Sequence, residues 1–126
     1  VVAEARTENG RIKVDRLAAA VDAGRLIHPD IVRQQIEGGL IVGLAAALGS
    51  APGLEAGLPR ARRLGDLGLP RLADAPDISV ELVASDEDPG GVSELAVPAV
   101  APALANALFA ATGRRYRQLP VELGAA

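Results

Sequence analysis

Apolar and polar positions alternate in two short stretches that flank an Asn-Gly pair near the start of the chain. Val1–Thr7 and Arg11–Val21 have the period of β-strands, and Asn9-Gly10 lies between them. Asn-Gly between two apolar runs favours a tight hairpin, because both central residues of that turn adopt positive φ. Ile78–Val83 alternates in the same way and predicts a further strand.

Two longer stretches have the period of an amphipathic helix. The first runs from Asp30 to about Leu48, with Pro29 suited to its first turn. The second runs over Pro98–Thr112, and Gly113 is a fitting stop. The apolar stripe of the first helix is Val32, Ile36, Leu40, Leu44 and Leu48, and that of the second is Val97, Val100, Leu104 and Leu108.

These elements predict an α/β fold in the mixed, α+β sense. Two main helices would pack on a small mixed sheet of about four strands. The 126 residues suffice for one domain over 1–126. Gly49–Pro70 is rich in Gly, Pro and Arg, and predicts a loop with room for short strands.

Three glycines interrupt the first helix, at Gly38, Gly39 and Gly43. Each costs about 1 kcal/mol relative to Ala in a helix interior. Three such costs indicate that another backbone or a ligand comes very close to this helix. Helix–helix contact and proximity to a cofactor both remain open.

Composition narrows the possible functions. The net charge of −3 argues against nucleic acid as a partner, because that binding rests on phosphate neutralisation. The absence of Cys excludes a disulfide, a thiolate metal site and an iron–sulfur cluster held by this chain, and the single His excludes a poly-His metal site. No residue of this chain is expected to ligate a metal. The two longest apolar runs are 38–54, which Gly residues and Pro52 interrupt, and 95–111, which Pro98 and Pro102 interrupt. Neither reaches the length of a membrane span, so no transmembrane segment is expected.

A few polar residues stand out as candidates for chemistry. Glu94 follows a Gly-Gly turn and precedes an apolar helix start, where a carboxylate is a plausible proton acceptor. Gln35 and Glu37 lie on the glycine-bearing helix, and an amide can both donate to and accept from a heterocycle. The alternative for both is a solvated helix face. His28, at a helix start, is interpreted as structural.

Four ordered stretches together resemble the molybdenum hydroxylases of the xanthine dehydrogenase/aldehyde oxidase type, most closely the isoquinoline 1-oxidoreductase-like large subunits. The first two are Ala20–Pro29 and the Gln-Ile-Glu-Gly-Gly run that begins at Gln35. The others are Leu72–Ile78 and Pro89-Gly-Gly-Val-Ser-Glu94 with the Ala101–Gly113 helix. Their order and spacing over about 100 residues make the set specific, although each motif alone is weak.

The resemblance implies the C-terminal segment of a molybdopterin-binding subunit, inactive alone, in an enzyme that oxidises an aldehyde or N-heterocycle with water-derived oxygen. Glu94 falls on the family's catalytic base at the molybdenum centre. The residues implied to contact the molybdenum-pterin cofactor, in its cytosine dinucleotide form, are Gln35, Gly90, Gly91, Val92 and Ser93. The remainder of the subunit would share that cofactor. A [2Fe-2S] subunit and a small-molecule substrate are the other implied partners.

The chain also departs from the family pattern. Ser93 stands where the family usually has Gly, Leu95-Ala96 replaces Pro-Gly, and His28 replaces Asn. A non-catalytic structural or assembly fragment of the same fold is therefore the alternative. A free-standing binding module is a third possibility, and it would need a concave pocket of its own.

Overall fold

The chain folds into a three-stranded sheet with two helices packed against it and against each other. The computed structural model describes residues 1–49 and 53–124. The strands are β1 (Val2–Glu8), β2 (Arg11–Val21), β3 (Leu54–Glu55), β4 (Leu58–Pro59) and β5 (Asp77–Leu82), and the helices are α1 (Pro29–Leu48) and α2 (Val97–Thr112). Short 3₁₀ helices lie at Leu64–Leu67 and Leu72–Asp74.

The main sheet has the strand order β1-β2-β5. β1 and β2 form the predicted antiparallel hairpin, in which Asn9 (φ 51°) and Gly10 (φ 73°) make the turn. The two positive φ values are those that a tight hairpin turn requires. β5 pairs in parallel with the second half of β2, from Arg16 opposite Asp77 to Val21 opposite Leu82. The sheet is therefore mixed, as the sequence predicted.

The number of strands differs from the prediction of about four in one sheet. β3 and β4 pair only with each other, as a separate two-stranded ribbon. The ribbon turns at Ala56 (φ 49°) and Gly57 (φ 79°), and each of its strands is two residues long. Strands this short contribute few backbone hydrogen bonds, so the Gly- and Pro-rich segment stays outside the main sheet. Of the predicted loop over 49–70, residues 50–52 lie outside the described residues.

The core is built from the two predicted helical stripes and the inner face of β2. The fully buried side chains with the largest volume are Leu17, Ile36, Leu40, Leu44, Leu104, Leu108 and Val100. All but Leu17 belong to the stripes that the sequence pattern identified. Burial of these aliphatic side chains supplies most of the driving force for folding, because the chain has only two aromatic residues.

The helix ends follow from local chemistry. His28 is the N-cap of α1, and its Nδ1 accepts a hydrogen bond from the Ile31 N–H at 3.4 Å. Gly113 closes α2 with φ 72°, and its N–H donates to the Phe109 carbonyl at 2.8 Å. The structural interpretation of His28 and the predicted stop at Gly113 are both confirmed.

The α1 glycines divide into two groups. A Cβ on Gly43 would lie 2.5 Å from the Val97 carbonyl oxygen, and one on Gly39 would lie 3.2 Å from the Ala96 Cβ. These two glycines allow the start of α2 to pack against α1. Gly38 has nothing within 4 Å of the position a Cβ would take. Helix–helix contact thus explains two of the three glycines and leaves Gly38 facing outward.

Within the described residues, α1 is the one helix long and apolar enough to cross a membrane. The core helix of a globular domain meets the same criterion when it is packed on several sides. Ile36, Leu40 and Leu44 of α1 are packed in the core, which accounts for that part of its apolar surface.

Candidate functional site

The segment that carries Glu94 leaves the sheet as an irregular loop and is held at defined points. The Val83 N–H donates to the Val21 carbonyl at 2.8 Å, which continues the parallel pairing of β2 and β5 by one residue. The Gly90 N–H donates to the Ala23 carbonyl at 2.8 Å, and the Arg25 N–H to the Glu87 carbonyl at 2.9 Å. These bonds fasten the loop over residues 83–96 to the turn that follows β2.

Gly24 makes this attachment possible. It has φ 71°, and a Cβ at this position would lie 2.2 Å from the Asp88 carbonyl oxygen. The Gly24 N–H donates to the Asp22 Oδ1 at 3.0 Å, which fixes the turn from its other side. The Asp22-Ala23-Gly24 turn lies within the first family-like motif. Its role in holding the loop is a feature that sequence reasoning missed.

Glu94 is exposed and lies just before α2. The Ser93 Oγ donates to the Glu94 Oε2 at 3.1 Å, and the Glu94 backbone carbonyl accepts from the Val97 N–H at 3.1 Å. The other carboxylate oxygen, Oε1, has no hydrogen-bond partner within the part of the chain that the structure describes. Ser93, the residue that departs from the family pattern, therefore holds one oxygen of the candidate base and leaves the other free.

The packing of α1 against α2 is the structural link between Gln35 and this loop. Gln35 is exposed and one helical turn before Gly39, which faces Ala96. Gly43, one turn further along α1, faces Val97, so the two segments run in the same direction where they touch. Glu94 precedes Ala96 by two residues. The residue pair in contact, Gly39 and Ala96, thus lies one helical turn after Gln35 and two residues after Glu94.

The other predicted loop residues line the approach to Glu94. Gly90 and Gly91 are exposed, with nothing within 4 Å of where a Gly91 Cβ would lie, and Val92 is half-buried against the core. Among residues 1–49 and 53–124, no protein acceptor is paired with the N–H groups of residues 91–94. The loop therefore presents a run of free backbone donors beside the Glu94 carboxylate.

None of the predicted site residues lines an enclosed cavity within the described part of the chain. The larger cleft, of about 730 Å³, lies between the β1–β2 turn, the end of α1 and the segment around Leu69. A smaller cleft, of about 420 Å³, lies in the tail over residues 114–122. Across those same described residues, no group of three or more acidic or His side chains could hold a metal ion. The candidate site is an open surface that further polypeptide would have to enclose.

Glu37, the other polar candidate on α1, is half-buried and lies away from the Gln35 face. Two residues before Gln35, Arg33 donates through Nη1 to the Val80 carbonyl of β5. This bond ties α1 to the strand that leads into the site loop. No pattern in the sequence indicated this contact, because it joins residues far apart in the chain.

The donors of this surface suit the molybdenum-pterin cofactor that the resemblance implies. A pterin ring and its phosphate present several acceptors and donors, which match exposed backbone N–H groups and a side-chain amide. Gln35 and the N–H groups of residues 91–94 supply groups of that kind. The open space over Gly91 lets a large group approach the loop backbone. The residues present therefore fit the cofactor.

Comparison with known proteins identifies the family to which the chain belongs. Residues 1–76 match the family described as the molybdopterin cofactor-binding domain. The isoquinoline 1-oxidoreductase subunit beta of Brevundimonas diminuta is 38% identical over 116 residues, which are 92% of this chain and 15% of that protein. The aldehyde oxidoreductase molybdenum-binding subunit of Escherichia coli K12 is 32% identical over 123 residues, 90% of this chain and 17% of that subunit. The membrane-bound aldehyde dehydrogenase [pyrroloquinoline-quinone] of Gluconacetobacter polyoxogenes is 36% identical, with 89% of this chain and 14% of that protein covered.

A solved structure shares the fold. The Cu,Mo-CO dehydrogenase in its carbon monoxide reduced state superposes with a TM-score of 0.72 and 25% identity, covering 82% of this chain and 14% of that chain. This chain thus spans about one-seventh of the length of the relatives it matches. The family match contains Gln35 and ends before the Glu94 loop. On the match over 1–76 and these relatives, the chain belongs to the molybdopterin cofactor-binding domain family.

Proposed function

We propose that residues 1–126 form a single domain, the C-terminal segment of the molybdopterin-binding subunit of a molybdenum hydroxylase. The enzyme would oxidise an aldehyde or an N-heterocycle with oxygen derived from water. The observation that supports this proposal most is the contact of Gly39, one turn after Gln35, with Ala96, two residues after Glu94, beside a loop whose N–H groups at residues 91–94 have no protein acceptor among the described residues. The motif order and the family match support the same assignment.

Gln35 and the loop residues Gly90, Gly91, Val92 and Ser93 would hold the cofactor, which we take to be the cytosine dinucleotide form. When bound, the molybdenum-pterin group supplies Lewis-acid and two-electron redox chemistry. The Gln35 amide would bind one edge of the pterin, since it offers a donor and an acceptor together. The loop N–H groups would donate to cofactor oxygens, and the bonds to Ala23 and Arg25 keep those donors in place.

Glu94 would act as the general base of the reaction. Its Oε1 is free to accept a proton, while Ser93 holds Oε2 at 3.1 Å. A positioned carboxylate of this kind contributes about 10²- to 10⁴-fold to a rate. Glu94 is exposed in this segment, so the remainder of the subunit would have to cover it and exclude water.

The partners follow from what this chain lacks. It has no Cys, so an iron–sulfur cluster that removes electrons would be held outside residues 1–126, and we take its holder to be a [2Fe-2S] subunit. The remainder of the molybdopterin-binding subunit would complete the cofactor site and the pocket for the small-molecule substrate. The names of two relatives, a subunit beta and a molybdenum-binding subunit, are consistent with such an assembly.

The test uses the complete subunit that carries this segment, purified with its partner subunits. Glu94→Gln should lower dye-linked oxidation of aldehydes or N-heterocycles by about 10²- to 10⁴-fold. Its molybdenum and pterin content should stay at the wild-type level, because the amide has nearly the same size and shape. Glu87→Gln is the matched control, since it lies in the same loop with its side chain exposed, and it should retain full activity.

Two results would contradict the proposal in different ways. Full activity in Glu94→Gln would remove the assigned base and favour the structural or assembly role. A purified enzyme with pyrroloquinoline quinone and no molybdenum would contradict the proposed cofactor, and the name of the Gluconacetobacter polyoxogenes relative makes that measurement necessary.

A further inference from the structure

A second stripe runs along α1 on the face opposite the core. Its members are exposed and recur every three or four residues, so they share one side of the helix. We call this set the outer stripe, and it consists of Ile31, Gln35, Gly38, Val42 and Ala46. It extends for about 22 Å along the helix axis, at about 1.5 Å per residue.

The outer stripe contains no charged residue. The three charged residues of α1 are Asp30, Arg33 and Glu37, and all of them lie on other faces of the helix. Val42 is 58% exposed and Ile31 is 51% exposed, although both are large aliphatic side chains. A helix face that stays in water normally carries charged and polar residues. The outer stripe therefore has the composition of a face that packs against something.

The centre of the stripe is open to close approach. Gly38 has nothing within 4 Å of where a Cβ would lie, and its position in mid-helix costs stability unless a neighbour uses the space. The opposite side of the same helix shows how such space is used, because Gly43 allows the Val97 backbone to approach α1. Gly38 offers a second helix the same kind of contact from outside.

We propose that the outer stripe is the docking surface for an apolar, uncharged helix from the remainder of the same subunit. That helix would place a small residue over Gly38 and aliphatic side chains against Ile31 and Val42. The inference rests on the proposed function, since it takes this chain as one segment of a longer polypeptide. Relatives about seven times longer than the matched region provide such polypeptide.

Polypeptide fits this surface better than lipid does. α1 is already fixed to the sheet and to α2 on one side, and Arg33 is bonded to the β5 backbone. Gln35 also lies in the stripe, and its amide, which the proposed function assigns to the cofactor, would lack hydrogen-bond partners if this face were covered by hydrocarbon. The stripe also continues the α1–α2 interface, because Gln35 adjoins Gly39 and its contact with Ala96.

The test measures thiol accessibility in the complete subunit within its assembled enzyme. Val42→Cys and Ala46→Cys each place one thiol in a segment that has no Cys. Their maleimide labelling, followed by peptide-resolved mass spectrometry, should be on the order of 100-fold slower in the native enzyme than in urea. Leu72→Cys is the control, because Leu72 is 94% exposed and off the stripe, and it should react at nearly its unfolded rate.

The outcomes separate the possible occupants. Protection that survives dilution and detergent, with a benzophenone at position 42 cross-linking to the same subunit, supports the proposal. Labelling of Val42→Cys near its unfolded rate overturns it. Protection that is lost on dilution would indicate a second copy of the chain, and protection that is lost in detergent would indicate lipid. Either result overturns the proposed docking of a helix from the same subunit. A gene product no longer than this chain would refute the proposed function itself, whereas reactive thiols in a longer subunit refute only the docking surface.

Discussion

Replacing Gly43 by Ala tests the close contact that holds the site loop against α1. The added methyl would lie 2.5 Å from the Val97 carbonyl oxygen and 2.8 Å from the Val100 Cγ2. The first of these is a backbone atom that cannot rotate away, so the two helices must separate. Such overpacking costs about 1–3 kcal/mol, and the better helix propensity of Ala returns about 1 kcal/mol. With the crowding at the upper end of that range, we expect a net loss of about 1–2 kcal/mol.

Gly38→Ala is the matched control, because it makes the same chemical change five residues earlier in the same helix. Its methyl meets nothing within 4 Å, so the chain should gain about 1 kcal/mol from helix propensity alone. Urea unfolding of the 126-residue chain, followed by far-ultraviolet circular dichroism, measures both changes. The two variants should shift the midpoint in opposite directions. A Gly43→Ala chain as stable as the wild type, or shifts of the same sign, would refute the contact.

Two further predictions concern the core and the contact between Gly24 and the loop over residues 83–96. Leu104→Ala removes a fully buried side chain and should lower the free energy of unfolding, measured in urea, by about 2–5 kcal/mol. Leu72→Ala, at a side chain 94% exposed, should change it by less than about 0.5 kcal/mol. Equal effects would contradict the described core. Gly24→Ala should detach the loop over residues 83–96, because its methyl would lie 2.2 Å from the Asp88 carbonyl oxygen. Limited proteolysis should then cut that loop at least about ten times faster than in the wild type, and an unchanged cleavage rate would count against the anchoring role.

The fold could be predicted where local patterns determine it. Asn9-Gly10 indicated the hairpin because few other residue pairs adopt two positive φ values. The helical stripes through Ile36 and Leu104 indicated the core faces because burial selects for that spacing. Gly113 indicated the end of α2 for the same local reason, a left-handed backbone conformation.

Contacts between distant residues could not be predicted in the same way. Three contacts depend on how separate elements pack together. They are the parallel pairing of β2 with β5, the bond from Arg33 to the Val80 carbonyl, and the contact of the Glu94 loop with Gly24. The sequence pattern likewise left the helix glycines with two explanations, and only the packing distinguished Gly43 from Gly38. Glu94 and Gln35 stood out locally, by the Gly-Gly turn and the glycine-bearing helix, but a solvated face explained them equally well and only the family resemblance gave them roles.

The strand order affects the stage of folding at which the Glu94 loop reaches its place. Pairing β2 with β5 closes a stretch of about 60 residues, and contacts that join such distant segments form late because closing a long loop costs entropy. The loop that carries Glu94 follows β5 directly. A chain that has formed only the hairpin and α1 already displays Gln35, whereas Glu94 still lies in an unanchored segment. The anchored Glu94 loop is thus a marker of complete folding, which protection of that loop from proteolysis would report.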